Sequence, residues 1–317
     1  MTSLVGNAAA RAAIDAADGA GNLHHAWLLA GPEGVGKATF AREAAERLLA
    51  RAAGDTSGRT AAMLAAGAHP DFRLLERTVD PTKPDKGLAR SIKIEAVRAL
   101  WSALAVKPSM SARRVVVIDA IDDVERPGAS NALLKSLEEP PAGTIFLLVS
   151  HAPGRLLPTI RSRCRLLRFD PLGDGDVAEI VRGALPQASA DEVAVLVRAG
   201  AGSPGRALRF AGLDLAAIET ALAAIAGDGD PANRQRLRLS KALGTKAAQT
   251  RYEAFLERVP AFIAERARHL AGERLRDALD AYAAAVDLAR ASIAQSLDPA
   301  TTAFEMGGLV ARLAPRR

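Results

Sequence analysis

The first half of the chain alternates short apolar runs with segments of helical periodicity. Runs of four to six residues, bounded by polar or turn-forming residues, predict buried strands at 25–30, 72–75, 115–118, 145–149 and 165–169. Between them, apolar residues recur at helical spacing in the segments 37–51, 95–104 and 129–137. Strands that alternate with helices predict a parallel α/β sheet with helices on both faces.

The second half has a different pattern, because strand signals disappear from residue 170 onward. Ala-rich segments interrupted by Gly and Pro predict a region that is entirely helical. Two apolar stripes at helical spacing are expected to face the core, and they comprise Leu275, Leu279, Tyr282 and Val286 together with Tyr252, Phe255, Leu256, Val259 and Phe262. Pro260 is expected to begin or kink a helix rather than to continue one, since proline has no N–H to donate.

The composition excludes several classes of protein. An apolar content of 49% over 317 residues is ample for a buried core and predicts two or three domains. No apolar run approaches the ~18–20 residues of a membrane span, and the N-terminus lacks the basic start and apolar core of a signal peptide, so we expect a cytoplasmic protein. Cys164 is the one cysteine, which excludes an internal disulfide and a Cys-rich zinc site, and we expect no metal in the fold. The net charge of +6 admits a polyanionic partner without requiring one.

Residues 31–37, GPEGVGK, match the P-loop pattern, in which glycines let backbone N–H groups turn toward phosphate and the lysine reaches the terminal phosphates. The candidate nucleotide-binding residues of this loop are Gly31, Gly34, Val35, Gly36 and Lys37. Ala38 stands where the pattern has Ser or Thr, and a methyl group cannot coordinate Mg²⁺. Thr39, a further candidate, points about 100° away from that position on a helix. A weak nucleotide site and a glycine-rich turn without a ligand both remain open.

A second candidate element is the apolar strand at 115–118, which ends in Asp119, a carboxylate able to hold Mg²⁺ through water. P-loop ATPases of the AAA+ class normally place a second carboxylate directly after it to activate the attacking water, and here that position is Ala120. The acidic residues further along are expected to be solvated loop charges, and they are Asp122, Asp123 and Glu125. The losses at Ala38 and Ala120 together predict very slow or absent ATP hydrolysis.

Two longer segments are similar to a known family. Residues 131–141, NALLKSLEEPP, and 158–164, PTIRSRC, resemble motifs of bacterial clamp-loader subunits, which are AAA+ proteins. Both segments follow the P-loop in the order and spacing of that family. The resemblance implies an α/β fold: a RecA-like AAA+ P-loop domain with a parallel sheet, then a small helical lid and an all-helical C-terminal collar domain. The corresponding boundaries are 1–168, 169–212 and 213–317.

The resemblance gives Arg163 a role outside the P-loop of its own chain. In the family, the arginine of this motif reaches across the subunit boundary to ATP bound by a neighbouring gamma/tau subunit, and it stabilises charge on the transferred phosphate. A planar guanidinium with forked donors suits this task, because it does not lose its proton. The alternative is a basic edge on a strand, formed by Arg161, Arg163, Arg165 and Arg168.

Two further positions have counterparts in the family. Residues 202–208, GSPGRAL, resemble the sensor-2 element of a lid helix, whose arginine faces the nucleotide in relatives that bind one, and Arg206 has that position. A helix that opens with Ser and Pro also needs no ligand to explain it. Ser150 ends a strand where sensor 1 would lie, whereas the histidines are assigned no chemistry.

The resemblance also implies a function and partners. The altered P-loop and the missing second carboxylate are similar to the clamp-loader subunit that hydrolyses little ATP, rather than to gamma/tau. The implied partners are gamma/tau and delta in a pentameric loader, with the sliding clamp and primer–template DNA as its substrates, and ATP or ADP would be bound weakly. One departure is the segment 52–69, which has no cysteine where many relatives carry a zinc module. Two other classes stay open: a self-sufficient AAA+ ATPase acting on DNA, such as a gamma-type motor or a branch-migration helicase, and an isolated nucleotide-binding switch.

Overall fold

A single sheet organises the first part of the chain. In the computed structural model, which describes residues 5–79, 88–89 and 91–315, its strands are β1 (Ala26–Ala30), β2 (Phe72–Glu76), β3 (Arg114–Asp119), β4 (Thr144–Ser150) and β5 (Arg165–Arg168). Their order in the sheet is β2-β3-β4-β1-β5, and every neighbouring pair is parallel. The prediction of a parallel α/β sheet is confirmed, and each strand ends within one residue of its expected limits.

Helices cover both faces of this sheet. They are α1 (Ala8–Gly19), α2 (Lys37–Ala53), α3 (Arg59–Ala65), α4 (Ile94–Leu104), α5 (Gly128–Glu138) and α6 (Pro158–Arg161). Successive residues of β1 enter different cores: Trp27 joins the core that contains Phe40 of α2, and Leu28 joins the core that contains Leu133 of α5. This alternation follows from the pleat, which points neighbouring side chains of a strand to opposite faces.

After Asp176 the chain forms a second compact unit, Val177–Arg317. The described residues of this unit form no strand. The helices from this point are α7 (Asp174–Ala184), which crosses the boundary, and α8 (Ala190–Gly200), α9 (Pro204–Arg209), α10 (Leu215–Asp228), α11 (Arg234–Leu243), α12 (Gln249–Ala267), α13 (Gly272–Gln295) and α14 (Pro299–Ala311). α14 is the common packing partner of α10, α11, α12 and α13. The predicted helical character is confirmed, while the division into a lid and a collar stays a prediction.

Among the described residues, no helix combines the length and the apolar character that crossing a bilayer requires.

Pro260 does not interrupt its helix. α12 continues through this proline, so the prediction that Pro260 begins a helix is wrong, while the alternative of a kink stays a prediction. Phe255 and Val259 before the proline and Phe262 after it are all buried. Burial of such side chains contributes about 1.5–3 kcal/mol each, which together exceeds the ~3 kcal/mol that proline costs inside a helix. The apolar stripe on α12 is buried, as its spacing predicts.

The apolar stripe on α13 is not buried as a whole, because only Leu275 and Val286 of its four members are half-buried. Leu279 and Tyr282 are 52% and 40% exposed, so the prediction that this stripe packs inside is wrong for them. The buried residues of α13 are instead small, namely Ala278, Ala281, Ala285 and Ser292. Small side chains let α13 pack against α12 and α14, and the larger apolar side chains are left on another face of the helix.

Candidate functional site

The P-loop connects the end of β1 to the start of α2. Gly34 and Gly36 have φ angles of 79° and 96°, in the left-handed region that side chains disfavour. A Cβ atom on Gly31 would lie 2.1 Å from the carbonyl oxygen of Phe169, so packing also requires glycine there. Val35 is 1% exposed and anchors the loop in the core. These four of the five predicted loop residues therefore belong to one turn between strand and helix.

Lys37 is buried inside this turn. Its side chain is 2% exposed, and Nζ donates hydrogen bonds to the carbonyl oxygen of Gly31 at 2.6 Å and to that of Pro32. Burial lowers the pKa of Lys37 to about 8. Three nearby carboxylates oppose this lowering of the pKa, and they belong to Glu33, Asp119 and Asp122. The ammonium group is thus held at the loop by main-chain oxygens and by surrounding negative charge.

The first turn of α2 has the donors that a polyphosphate needs. Its N–H groups have no acceptor within the helix, and the helix dipole adds positive potential at the same end. Gly36, which precedes the helix, provides no side-chain cap. The backbone N–H groups of residues 34–37 are therefore suitable donors for phosphate oxygens.

The same site lacks side-chain ligands for Mg²⁺ at the start of α2. Ala38 has no ligand atom in its side chain, and Thr39 is exposed. The part of the chain that the structure describes contains no group of three or more His, Cys, Asp or Glu side chains placed to hold a metal ion. An incoming Mg²⁺ would lack the hydroxyl ligand that a P-loop normally supplies.

Asp119 lies at the same edge of the sheet as the P-loop. It is the last residue of β3 and is half-buried, and it is close enough to Lys37 to act on the pKa of that lysine. The carboxyl ends of parallel strands share one edge, where α/β proteins bind their ligands. Ala120 follows at 2% exposure, so a buried methyl group occupies the position of the second carboxylate.

Asp122 has hydrogen-bond partners that the sequence did not predict. Its carboxylate accepts hydrogen bonds from the hydroxyl of Ser150 at 3.0 Å and from the backbone N–H groups of His151 at 2.7 Å and Ala152 at 3.2 Å. Asp123 is in an ion pair, and burial raises its pKa. The prediction that these two aspartates are solvated loop charges is wrong, because the neighbouring strand end brings donors to them. The signal in the sequence was Ser150, a polar residue that ends a neighbouring apolar strand.

A cavity of about 1040 Å³ borders both the P-loop and the segment that contains Arg163. Gly31, Pro32 and His151 line one side of it, and Arg161 and Ser162 line another. Burial lowers the pKa of His151, and the Lys37 ammonium lowers it further, so its ring is neutral at neutral pH. The two candidate segments therefore lie on one face of the first unit.

Arg163 lies in a turn between α6 and β5. Its side chain is 33% exposed, with Nη1 donating to the carbonyl oxygen of Thr159 at 2.9 Å and Nη2 2.6 Å from Oε1 of Glu138. Arg165 and Arg168 are exposed on β5, which is an edge strand. The geometry is compatible with an arginine that reaches a neighbouring molecule, and it is also compatible with a basic edge on β5.

Arg206 belongs to the second unit, where it pairs with an acidic residue of α12. Its Nε lies 2.8 Å from Oε1 of Glu257, and its side chain is 22% exposed. The hydroxyl of Ser203 accepts a hydrogen bond from the backbone N–H of Arg206 at 3.2 Å and caps α9, with Pro204 in the first turn. These contacts explain the start of the helix without a ligand, and the sensor-2 role of Arg206 stays a prediction.

The combination of these elements defines a class of protein. A P-loop between β1 and α2, a carboxylate at the end of β3 and a parallel sheet followed by helices make this chain a RecA-like AAA+ protein. A family model described as DNA polymerase III, delta subunit, matches residues 8–173, just over half of the chain. The chain belongs to this family, and the resemblance to bacterial clamp-loader subunits is confirmed.

Several named relatives are similar to this chain. DNA polymerase III subunit delta' of Pseudomonas aeruginosa is 38% identical over 192 residues, which cover 59% of this chain and 56% of the relative. The subunit delta' of Escherichia coli K12 is 34% identical over 215 residues, 65% of this chain and 60% of the relative. DNA polymerase III subunit tau of Salmonella typhimurium is 38% identical over 146 residues, 45% of this chain and 21% of the relative. The chain thus spans 56% to 60% of the length of the two delta' relatives.

Proposed function

We propose that this protein acts as a delta-prime-type subunit of the bacterial DNA polymerase III clamp loader, in the cytoplasm. It binds ATP or ADP weakly, hydrolyses neither appreciably, and supplies Arg163 to the ATP site of a neighbouring gamma/tau subunit. One observation carries the proposal: Ala38 and Ala120 place methyl groups at both hydrolytic positions, while Arg163 lies at the surface with a third of its side chain exposed.

The chemistry of its own site supports binding more than turnover. Backbone N–H groups of residues 34–37 and the Lys37 ammonium would hold the phosphates. Mg²⁺ supplies charge neutralisation and orientation in phosphoryl transfer when it is bound. Here Asp119 alone would reach it, through water, and Ala120 cannot orient the attacking water. Hydrolysis therefore has neither a well-placed metal nor a base.

Arg163 has the chemistry that a neighbouring site requires. A guanidinium remains charged at any physiological pH and can donate two parallel hydrogen bonds to phosphate oxygens. Its position outside the core means that a partner can reach it without unfolding the subunit. In this role the subunit contributes to a reaction that it does not carry out itself.

The exposed apolar face of α13 supports assembly with other subunits. Leu279, Tyr282 and Ile293 are 52%, 40% and 59% exposed on one helix, and large apolar side chains left in water favour burial against a partner. We assign residues 169–212 to a lid and residues 213–317 to a collar, with gamma/tau and delta as the partners. The assembled loader would then place the sliding clamp on primer–template DNA during replication.

The test of this function is Arg163→Ala in a loader reconstituted with gamma/tau and delta. Loss of an arginine finger costs about 10³–10⁵ in rate in well-studied GTPases. The fall in total ATPase rate should be smaller, because only the gamma/tau site that faces this subunit loses its arginine. DNA- and clamp-stimulated phosphate release and clamp loading are the two measurements.

Arg161→Ala is the matched control, since Arg161 is exposed two residues earlier in the same segment. It should leave both rates unchanged. Arg163→Lys should restore little, because an ammonium lacks the forked geometry. The proposed role of Arg163 at the neighbouring ATP site is refuted if Arg163→Ala complexes of confirmed stoichiometry load clamps at the wild-type rate.

A further inference from the structure

The guanidinium of Arg163 is engaged within its own subunit. One terminal nitrogen donates to the carbonyl oxygen of Thr159 at 2.9 Å, and the other lies 2.6 Å from a carboxylate oxygen of Glu138. The two side chains are 33% and 47% exposed, so the pair lies at the surface, where an approaching molecule can compete for it.

Glu138 is not placed to stabilise its own helix. It is the last residue of α5, and the C-terminal end of a helix carries partial negative charge that disfavours a carboxylate. The favourable charge in that last turn is the one on Lys135. The attraction that Glu138 makes is therefore directed to Arg163, on the segment between α6 and β5.

The pair affects what Arg163 can do for a phosphate. A carboxylate at this distance offsets part of the positive potential of the guanidinium and occupies one arm of its fork. The same carboxylate repels an approaching triphosphate, since both are negative. A finger that remains on Glu138 therefore stabilises a transition state on the neighbouring subunit poorly.

We propose that Glu138 is a positioning residue that withholds Arg163 from the neighbouring ATP until the loader binds DNA and clamp. This inference rests on the trans role of Arg163 proposed above. Because exposed ion pairs contribute only about twofold to fivefold to an equilibrium, the restraint is weak enough for a correctly placed triphosphate to overcome. Arg163 then contacts the neighbouring ATP only when DNA and clamp bring the two subunits into the correct geometry.

The experiment compares Glu138→Gln with wild type in the reconstituted loader. Glutamine keeps the shape and a hydrogen-bond acceptor and removes the charge. Steady-state ATPase is measured over a range of ATP concentrations, with and without DNA and clamp, for each complex and for its Arg163→Ala counterpart. The difference between the two members of each pair is the Arg163-dependent rate, which excludes hydrolysis at the other sites.

We expect the Arg163-dependent kcat without DNA and clamp to rise about twofold to fivefold in Glu138→Gln, the range typical of an exposed ion pair. The stimulated kcat should be unchanged, because the finger is then already engaged. Glu138→Asp, which keeps the charge, should remain near wild type. Glu139→Gln, at the exposed neighbouring position, is the matched control and should change neither rate.

The outcomes separate this inference from the proposed function. If Arg163→Ala leaves the rate of the wild-type loader unchanged, both the trans role and the restraint by Glu138 are wrong. If Arg163→Ala lowers the rate but Glu138→Gln leaves the basal Arg163-dependent rate unchanged or lower, only the restraint is overturned. A rise that persists in the Glu138→Gln, Arg163→Ala double variant also overturns it, because Glu138 would then act through another group.

Discussion

Ala38 lies in the first turn of α2, where a P-loop ATPase carries the hydroxyl that ligates Mg²⁺. The rest of the loop retains the geometry of a phosphate site, including the buried ammonium of Lys37. Ala38 therefore affects the Mg²⁺ dependence of nucleotide binding without removing the donors that bind the phosphates. A phosphate can be held by main-chain donors, whereas the metal has lost one ligand.

We predict that nucleotide binding to the wild-type chain changes little when Mg²⁺ is replaced by a chelator. Ala38→Ser restores a ligand oxygen and should make binding tighter with Mg²⁺ than without it, by about tenfold or 1.4 kcal/mol. Calorimetric titration with ADP in both conditions measures this difference. Ala38→Gly, which adds no ligand, should behave as wild type, and turnover of the lone chain near ~1 s⁻¹ would contradict the whole assignment.

Lys37 provides a prediction about pH. Its pKa of about 8 in the folded chain means that its positive charge is lost as the pH rises through 8. A bound phosphate raises this pKa, so affinity should fall by up to about tenfold per pH unit from pH 8 upward. Nucleotide titrations between pH 7 and about 9.5 measure the slope. Lys37→Met should bind more weakly with no such dependence, and a wild-type affinity that stays flat above pH 8 would exclude this role.

The same shift has a consequence for stability, with a definite sign. Because the folded-state pKa of about 8 lies below the ordinary value of 10.5, the unfolded chain holds more protons between these values. Burial of the charged lysine therefore lowers the free energy of unfolding at neutral pH. The free energy of unfolding therefore rises as the pH increases from about 8 to 10.5, because the folded chain loses the buried charge.

At the scale of elements, α13 has two faces of different character. Ala278, Ala281 and Ala285 are buried against the rest of the second unit, while Leu279 and Tyr282 are exposed. A large apolar side chain at the surface of a helix contributes little to the fold of its own chain. Its burial against another subunit would contribute about 25 cal/mol for each Å² removed from water.

We predict that Leu279→Asp prevents assembly with gamma/tau and delta and leaves the isolated chain folded. The free energy of unfolding should change by no more than about 0.5 kcal/mol, as is usual for exposed positions. Size-exclusion chromatography of mixed subunits reports assembly, and urea unfolding reports stability. Asp280→Lys also changes the charge at an exposed position of α13, but about 100° around the helix from Leu279, and it should be tolerated in both assays. Full assembly of the Leu279→Asp chain would show that this face is not an interface.

At the scale of the whole molecule, the net charge of +6 sets an expectation for DNA. The charges are distributed along the chain rather than gathered in one segment, so only a few phosphates can be contacted at once. We predict weak binding of the isolated chain to primed DNA, with log K falling against log salt at a slope of about −2 to −3. Fluorescence anisotropy between about 50 and 200 mM salt gives the slope. Tight binding with a slope near −9, which corresponds to about ten phosphate contacts, would favour a self-sufficient ATPase acting on DNA.

Much of the first unit was predictable from short-range patterns. The five strands, the helix after the P-loop and the glycine turn depend on residues that are close in sequence, and the structure places them where the apolar periodicity predicts. The substitutions at Ala38 and Ala120 were also readable directly, since a motif specifies which atom is needed at each position. Local preferences and motif spacing were sufficient here because neither depends on what packs against the segment.

The helical second unit shows where such patterns stop being sufficient. Pro260 was expected to begin or kink a helix rather than to continue one, yet α12 runs through it, with buried apolar residues on both sides. The large apolar stripe of α13 was expected to be core, yet the face of small residues is the one that packs. Periodicity identifies the faces of a helix, and the shapes of its neighbours decide which face is buried.

The sequence by itself determined the class of fold, the order of the motifs and the loss of two hydrolytic side chains. Only the tertiary structure decided the ion pairs of Arg163 with Glu138 and of Arg206 with Glu257, and the hydrogen bonds of Asp122 at the end of β4. The physical reason is that a side chain's partners are set by which distant segments the fold brings within hydrogen-bonding reach. That proximity depends on the packing of whole helices and strands, which no local spacing encodes.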